Sequence, residues 1–201
     1  MLKVGLTGGL ASGKTYIASC FAGFGAHVAY ADQFGHETLR PTGEAYAEVI
    51  REFGLEILDR DGFIDRSALG AIVFADNERL AKLNAIVHPH VFRREEAFFD
   101  QVAQQDPTGV AVIEAAIMIE IGSYKRYDRI VLADCPLETQ IERFMERNKA
   151  SREQALERIE RQMPLEEKRK FADYVIDTSG AMPRTKELAR AVYVKLKEEA
   201  A

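Results

Sequence analysis

The residues from Gly8 to Thr15 read GGLASGKT and fit the spacing G-x-x-x-x-G-K-[ST]. Glycines at such spacing let backbone N–H groups approach an anion closely, where a Cβ would clash or a positive φ is needed. Lys14 would then reach the β- and γ-phosphates of a nucleoside triphosphate, and the Thr15 hydroxyl would ligate Mg²⁺. The motif therefore predicts nucleotide binding by a run of residues, namely Gly8, Gly9, Leu10, Ala11, Ser12, Gly13, Lys14, Thr15 and Tyr16.

Two carboxylates follow apolar runs and are further candidates for chemistry. Asp32 ends the second predicted strand, and Glu114 ends the third. The carboxyl ends of neighbouring parallel strands open on one crevice, so Asp32 could accept the proton of an attacking hydroxyl. A helix cap or solvated turn residue is the alternative for Asp32. Glu114 either holds Mg²⁺ through water or caps the next segment, and the sequence favours neither interpretation.

These residues must be positioned by an alternation of short apolar runs and longer helical patterns. Strands are predicted at 2–7, 27–31, 109–113, 129–133 and 174–177, and a helix over Lys14–Phe24 follows the first strand. Such alternation is typical of a parallel sheet covered by helices. We therefore expect an α/β fold of three layers, with helices on both faces of a parallel sheet that carries a phosphate-binding loop.

Two segments depart from this alternation. Between about 33 and 105 apolar residues recur at helical spacing without a strand, and turn residues at 59–62 and 84–89 separate the predicted helices. A helical pair over about 136–163 carries several arginines, and Ser151 to Gln154 fits a capping box. We expect a nucleotide-binding core of 1–32, 108–135 and 172–201, a helical substrate-binding insert at 33–107, and a helical lid at 136–171.

Composition excludes several classes of protein. The chain has 201 residues, of which 47% are hydrophobic and 29% charged, and this is ordinary globular usage. Its net charge of −5 is a poor match to nucleic acid. Cys20 and Cys135 are far apart and predict buried thiols in a reducing compartment. The run Ile17–Cys20 ends like a lipoprotein signal, but Lys14 interrupts the apolar stretch, so we expect a cytoplasmic protein without a membrane segment.

Among nucleotide-binding proteins, the sequence favours a kinase of small molecules. A GTPase would need an [NT]-K-x-D loop after a strand, and the nearest candidate, at 148–151, lacks the aspartate. A motor or transporter ATPase would normally be longer. A helical insert for the acceptor and an arginine-bearing lid that closes over the phosphoryl group are the parts that such a kinase requires.

Seven short motifs, in order, resemble those of the dephospho-CoA kinase family over essentially the whole chain. The family's loop G-L-T-G-G-x-x-S-G-K-[ST] is present at 5–15, and the family's D-A-D is represented by Tyr30-Ala31-Asp32. The other five are D-G-x-[IL]-x-R-x-x-L at 61–69, L-N-x-[IL]-x-H-P at 83–89, a counterpart of P-L-L-x-E at 116–120, Q-x-x-R-x-x-x-R at 140–147, and A-D-x-V-I-D-x-x-G at 172–180.

This resemblance implies phosphorylation of the ribose 3′-hydroxyl of 3′-dephospho-CoA by ATP with Mg²⁺. It implies that Asp32 is the base and that Arg143 is the lid arginine that meets the ATP phosphates. Arg147 follows one turn later, and both arginines could instead pair with Glu142 and Glu146. The acceptor would be bound by Asp32 together with Arg66, His88, Pro89 and Glu120. The alternatives are a surface ion pair for Arg66 and a structural turn for His88-Pro89.

Departures from the family pattern occur at Ala11, Tyr16, Tyr30, Ala116 and Thr178. An alanine at position 11 requires a φ that a Cβ accepts. The chain retains Lys14, Thr15 and Asp32, so we expect phosphoryl transfer to persist. We expect the protein to be a monomer or a weak homo-oligomer. The alternatives are a different metabolite kinase, acting on a nucleoside monophosphate or sugar acid, and a regulator that senses ATP without transferring phosphate.

Overall fold

The computed structural model describes residues 1–201, which form two compact units. One unit comprises residues 1–29 and 99–201, and the other comprises residues 30–98. The helices, in chain order, are α1 (Lys14–Phe24), α2 (Ala31–Thr38), α3 (Tyr46–Phe53), α4 (Arg66–Ala75), α5 (Asn77–Gln105), α6 (Leu137–Asn148), α7 (Arg152–Ile159), α8 (Leu165–Lys168) and α9 (Met182–Ala200).

The sheet has five strands in the order β2-β3-β1-β4-β5, and this confirms the predicted α/β fold. The strands are β1 (Leu2–Gly8), β2 (His27–Tyr30), β3 (Val110–Glu114), β4 (Arg129–Asp134) and β5 (Tyr174–Asp177). β1 pairs in parallel with β3 and β4, and β4 pairs in parallel with β5. β1 is almost continuously buried, as expected of the central strand of a parallel sheet. The sheet register places Leu6 opposite Glu114 and Gly8 opposite Ala133.

Helices α1 and α9 pack against each other and against the sheet. The buried face of α1 consists of Ile17, Ala18, Cys20 and Phe21. Cys20 and Cys135 are both buried and free, as the sequence predicted. α7 begins with the predicted capping box, in which Ser151 and Gln154 satisfy each other's backbone N–H groups.

The unit of residues 30–98 has a hydrophobic core of its own, formed by Ala45, Val49, Phe53, Ile57, Ile64, Leu69 and Val73. The predicted turn at 59–62 is present: the Asp59 carboxylate accepts hydrogen bonds from the N–H groups of Asp61 and Phe63. Gly62 occupies the turn with φ +81°, a conformation that favours glycine. Asp65 then caps α4 by accepting from the N–H groups of Ser67 and Ala68.

The predicted helix break at 84–89 is wrong, because α5 continues through Pro89. A proline inside a helix lacks one N–H and clashes with the carbonyl four residues earlier, at a cost of about 3 kcal/mol. The apolar residues before Pro89 pack against the core of this unit, including Leu80, Leu83, Ile86 and Val87. Their burial outweighs the local penalty. None of the helices is both long and apolar enough to cross a membrane.

We expect Pro89→Ala to raise the free energy of unfolding by about 2 kcal/mol, since it removes the helix penalty and returns only part of it as unfolded-state entropy. Pro89 is exposed, so the substitution leaves no cavity. Urea denaturation at neutral pH measures the difference. Ala85→Gly, at an exposed position one turn earlier, serves as the opposite control and should lower stability by about 1 kcal/mol. An unchanged or lower stability of Pro89→Ala would contradict this account.

Candidate active site

The loop between β1 and α1 is closely packed where the motif has its first glycines. A Cβ on Gly8 would lie 2.7 Å from the carbonyl oxygen of Ala133 and 2.4 Å from the Ser12 hydroxyl. A Cβ on Gly9 would lie 2.2 Å from the side-chain nitrogen of Gln140, which donates to the Leu10 carbonyl at 2.7 Å. The backbone carbonyl therefore leaves no space for a side chain at Gly8, whereas a side chain at Gly9 would have to displace Gln140.

The expectation for Ala11 is wrong. Its φ is +57°, in the left-handed region that disfavours a Cβ, and Gly13 also has a positive φ of +87°. An L-residue in this conformation costs about 1–2 kcal/mol, which alanine tolerates better than a branched residue would. Gly13 precedes α1, and the N–H groups at the N-terminus of a helix are suited to an anion.

Lys14 has its contacts at the carboxyl end of β1, and Thr15 has its contact with Glu114 at the carboxyl end of β3. The Lys14 ammonium donates to the carbonyl of Gly9 at 2.8 Å and lies 3.4 Å from that of Gly8. The Thr15 hydroxyl donates to a Glu114 carboxylate oxygen at 3.5 Å. A hydroxyl and a carboxylate are the hard oxygen donors that Mg²⁺ prefers, and the remaining positions would fall to water and phosphate. These two side chains therefore fit a Mg²⁺ ion bound together with a nucleotide.

Arg143 is held beside the loop by Thr178. Its guanidinium donates to the Thr178 carbonyl at 2.5 Å and to the Thr178 hydroxyl at 3.3 Å. Thr178 is buried, with 3% of the residue exposed, and its hydroxyl donates to the Ser12 carbonyl at 2.7 Å. Thr178 thus joins α6 to the phosphate-binding loop. Arg143 contacts Thr178 rather than Glu142, whereas Arg147 lies exposed one turn further on.

Tyr16 has a structural contact, because its hydroxyl donates to the carbonyl of Met182 at 3.0 Å. This bond joins α1 to the start of α9.

Burial raises the pKa of the Cys135 thiol, which lies next to the end of β4.

Lys168 contacts the phosphate-binding loop, and the sequence analysis did not predict a role for it. It is fully buried, and its ammonium lies 2.6 Å from the Ala116 carbonyl, 2.8 Å from the Glu120 carboxylate and 3.4 Å from the Gly8 carbonyl. Burial lowers the pKa of Lys168, and the ion pair with Glu120 offsets part of that effect. In sequence Lys168 belongs to an ordinary charged run, EEKRK, and nothing there distinguishes it from its exposed neighbours.

A second group of candidate residues lies within the unit of residues 30–98. Asp32 is in the first turn of α2, two residues after β2, and Arg66 is the first residue of α4. Both lie close enough to His36 to affect it electrostatically. Loss of hydration lowers the pKa of His36, the positive charge of Arg66 lowers it further, and Asp32 raises it. His36 follows Asp32 by four residues, a helical spacing that was the one sequence signal for it.

His88 lies on α5, with its ring centroid 5.8 Å from that of Phe92. Burial lowers the pKa of His88. Glu120, predicted to bind the acceptor, has its carboxylate occupied by Lys168 and by the N–H of Met163 at 3.1 Å. Within one unit the structure therefore brings together Gly8, Lys14, Thr15, Glu114 and Arg143, and within the other Asp32 and Arg66.

The fold and the loop define a class. A parallel sheet of order 2-3-1-4-5, with a G-x-x-x-x-G-K-T loop after its central strand, is that of a P-loop nucleotide-binding protein. With an arginine-bearing helical segment between β4 and β5 and a helical segment between β2 and β3, it is built as the small-molecule kinases of this class are.

The family follows from comparison with known proteins. Residues 2–184 match the family model for dephospho-CoA kinase. The chain is 38% identical to the dephospho-CoA kinase of Aquifex aeolicus over 98% of both chains, and 41% identical to that of Thermobifida fusca over 90% of this chain and 88% of that one. A crystal structure of a Thermus thermophilus protein, 31% identical, matches with a TM-score of 0.80 over 98% of this chain and 97% of that chain. The chain belongs to the dephospho-CoA kinase family.

The lowered pKa of His88 makes a prediction about stability and pH. The unfolded chain takes up this proton near pH 6.5, whereas the folded chain takes it up at lower pH, so the unfolded state binds more protons in between. Stability should therefore fall as the pH drops through and below 6.5. His88→Gln should lose part of this slope, measured by urea denaturation between pH 7.5 and 5.

The matched control is His90→Gln, two residues along the same helix, where the ring nitrogen contacts Arg93. We expect that variant to keep more of the wild-type slope than His88→Gln does. An identical slope in wild type and His88→Gln would contradict the prediction.

Proposed function

We propose that this chain transfers the γ-phosphoryl group of ATP to the ribose 3′-hydroxyl of 3′-dephospho-CoA, which gives coenzyme A and ADP in the last step of coenzyme A synthesis. The observation that carries the proposal is the phosphate-binding loop, in which Lys14 contacts the Gly8 and Gly9 carbonyls and Thr15 contacts Glu114 at the end of β3. Family membership then selects the acceptor.

On the donor side, Lys14 binds the β- and γ-phosphates, and the loop N–H groups and the start of α1 hold the phosphate chain. Arg143 stabilises the charge on the transferring group, and Arg147 assists it from the next turn. Mg²⁺ would be held by Thr15, with Glu114 acting through water, and would neutralise phosphate charge when bound. We assign the lid to residues 136–171.

On the acceptor side, Asp32 takes the proton of the 3′-hydroxyl. The oxygen–phosphorus bond to the ribose then forms as the bond between the γ-phosphorus and the β–γ bridging oxygen breaks, and ADP leaves with that electron pair. We assign acceptor binding to the unit of residues 30–98, with Arg66 facing an acceptor phosphate and His88 and Pro89 contacting the remainder of the molecule. We also assign Glu120 to acceptor binding.

Asp32→Asn should lower kcat by about 10²- to 10⁴-fold, since it removes the base while keeping the size of the side chain. The KM for ATP should stay nearly unchanged, because Asp32 does not contact ATP in this scheme. ADP release in the presence of Mg²⁺ and ATP measures the rate, with the product mass identified. Asp61→Asn, in the exposed turn at 59–62, is the matched control and should keep full activity.

The acceptor is tested in the same assay with 3′-dephospho-CoA, AMP, adenosine and gluconate. Turnover of 3′-dephospho-CoA, without turnover of the other three compounds, supports the proposal. Preferred turnover of another acceptor would make the chain a different metabolite kinase. ATP binding without turnover on any acceptor would leave the ATP-sensing regulator as the explanation.

A further inference from the structure

A lysine whose side chain is not exposed to solvent contacts the phosphate-binding loop. Lys168 is the last residue of α8, and its side chain has no exposed surface. An ammonium group has three N–H donors, and three oxygens surround this one, those of Gly8, Ala116 and Glu120. The charge is therefore compensated by one carboxylate and two carbonyl groups.

The three oxygens come from parts of the chain that are distant in sequence. Gly8 ends β1 and opens the phosphate-binding loop, and Ala116 lies two residues after Glu114. Glu120 also accepts from the N–H of Met163, just before α8. Thr7 donates a further hydrogen bond to the Ala116 carbonyl at 3.2 Å. Lys168 thus connects three segments: the start of the phosphate-binding loop, the turn after β3, and α8, which carries Lys168 itself.

Such a buried cation is a costly way to stabilise a fold. Removing an ammonium group from water costs several kcal/mol, and apolar residues of similar size often replace a buried ion pair without loss of stability. Packing alone therefore does not explain a fully buried lysine at this position. Its contact with the first glycine of the loop suggests a role that an apolar residue could not fill.

The Gly8 carbonyl is shared by two lysines. Lys14 and Lys168 both place their ammonium groups 3.4 Å from this oxygen. In the proposed function Lys14 turns to the β- and γ-phosphates, which removes its hydrogen bonds to the Gly8 and Gly9 carbonyls. Lys168 is enclosed on all sides and has three acceptors in place, so it remains.

We propose that Lys168 is a positioning residue for the nucleotide: it keeps its contact with the Gly8 carbonyl when Lys14 leaves that carbonyl for the phosphates, and it ties the carbonyl to the turn that follows Glu114. The loop then keeps the shape that directs its N–H groups to the anion, and Glu114 keeps its place beside Thr15. The proposal rests on the proposed function only in assigning Lys14 to phosphate. It concerns ATP binding, which is measured without an acceptor.

Three variants separate positioning from stability. Lys168→Met removes the cation and leaves the partly exposed Glu120 carboxylate without its partner, so both stability and ATP affinity should fall. Lys168→Met/Glu120→Leu replaces the pair with apolar side chains and should recover thermal stability. Lys170→Met, at an exposed lysine paired with Glu167, removes a charge two residues away and serves as the control.

Titration calorimetry with a non-hydrolysable ATP analogue and Mg²⁺ gives the Kd, and thermal unfolding gives stability. We expect the apolar double variant to be nearly as stable as the wild type and to bind the analogue at least about tenfold more weakly, the loss typical of a hydrogen bond to a charged group. In the kinase assay the KM for ATP should rise in this variant, whereas Lys170→Met should match the wild type in both the Kd of the analogue and the KM for ATP.

Recovery of ATP affinity to within about twofold of the wild type in the stable double variant would overturn the proposal, because it would show that any filled interior suffices. Equal losses in Lys170→Met would overturn it too, since they would indicate a general charge effect. If the wild type binds the analogue but phosphorylates no acceptor, the proposed function fails while this test still stands.

Discussion

The absence of space for a Cβ at Gly8 fixes the geometry of the whole phosphate-binding region. Because this glycine lies directly against Ala133 of β4, the central strand turns immediately into the loop. The loop then leads through Gly13 into α1, which places Lys14 and Thr15 within reach of the end of β3. Every candidate contact to the nucleotide phosphates in this unit depends on that turn. Thr178 and Lys168 support it from the β5 and β3 sides.

Much of this arrangement was available from the sequence, for physical reasons. Buried strands of a parallel sheet are short, apolar and bounded by turn residues, so β4 and β5 were predicted to within one residue. The loop was predicted because its glycines, lysine and threonine are required by the ligand. Residues such as Lys168 were missed because burial of a charged side chain depends on partners distant in the chain. Gly8, Ala116 and Glu120 become neighbours of Lys168 only in the folded sheet.

The two wrong predictions, at Pro89 and at Ala11, have a different cause: tertiary packing overrode the local conformational preference of the residue. A proline usually ends a helix, yet α5 continues through Pro89 because the apolar residues before it pack against the core of their unit. Ala11 usually avoids a positive φ, yet the turn between Gly9 and Gly13 imposes one. Thr178 belongs to neither case. Its hydroxyl lies within hydrogen-bond distance of two carbonyl acceptors, that of Ser12 and, at 3.1 Å, that of Asp134.

The two buried thiols make this protein well suited to site-specific labelling. The chain has two cysteines, both buried, and burial raises the pKa of the Cys135 thiol, which disfavours the reactive thiolate. A cysteine introduced at the exposed Glu146 on α6 would therefore react first with a maleimide dye, without removal of either native residue. Movements of the arginine-bearing helices could then be followed by fluorescence in an otherwise unmodified chain.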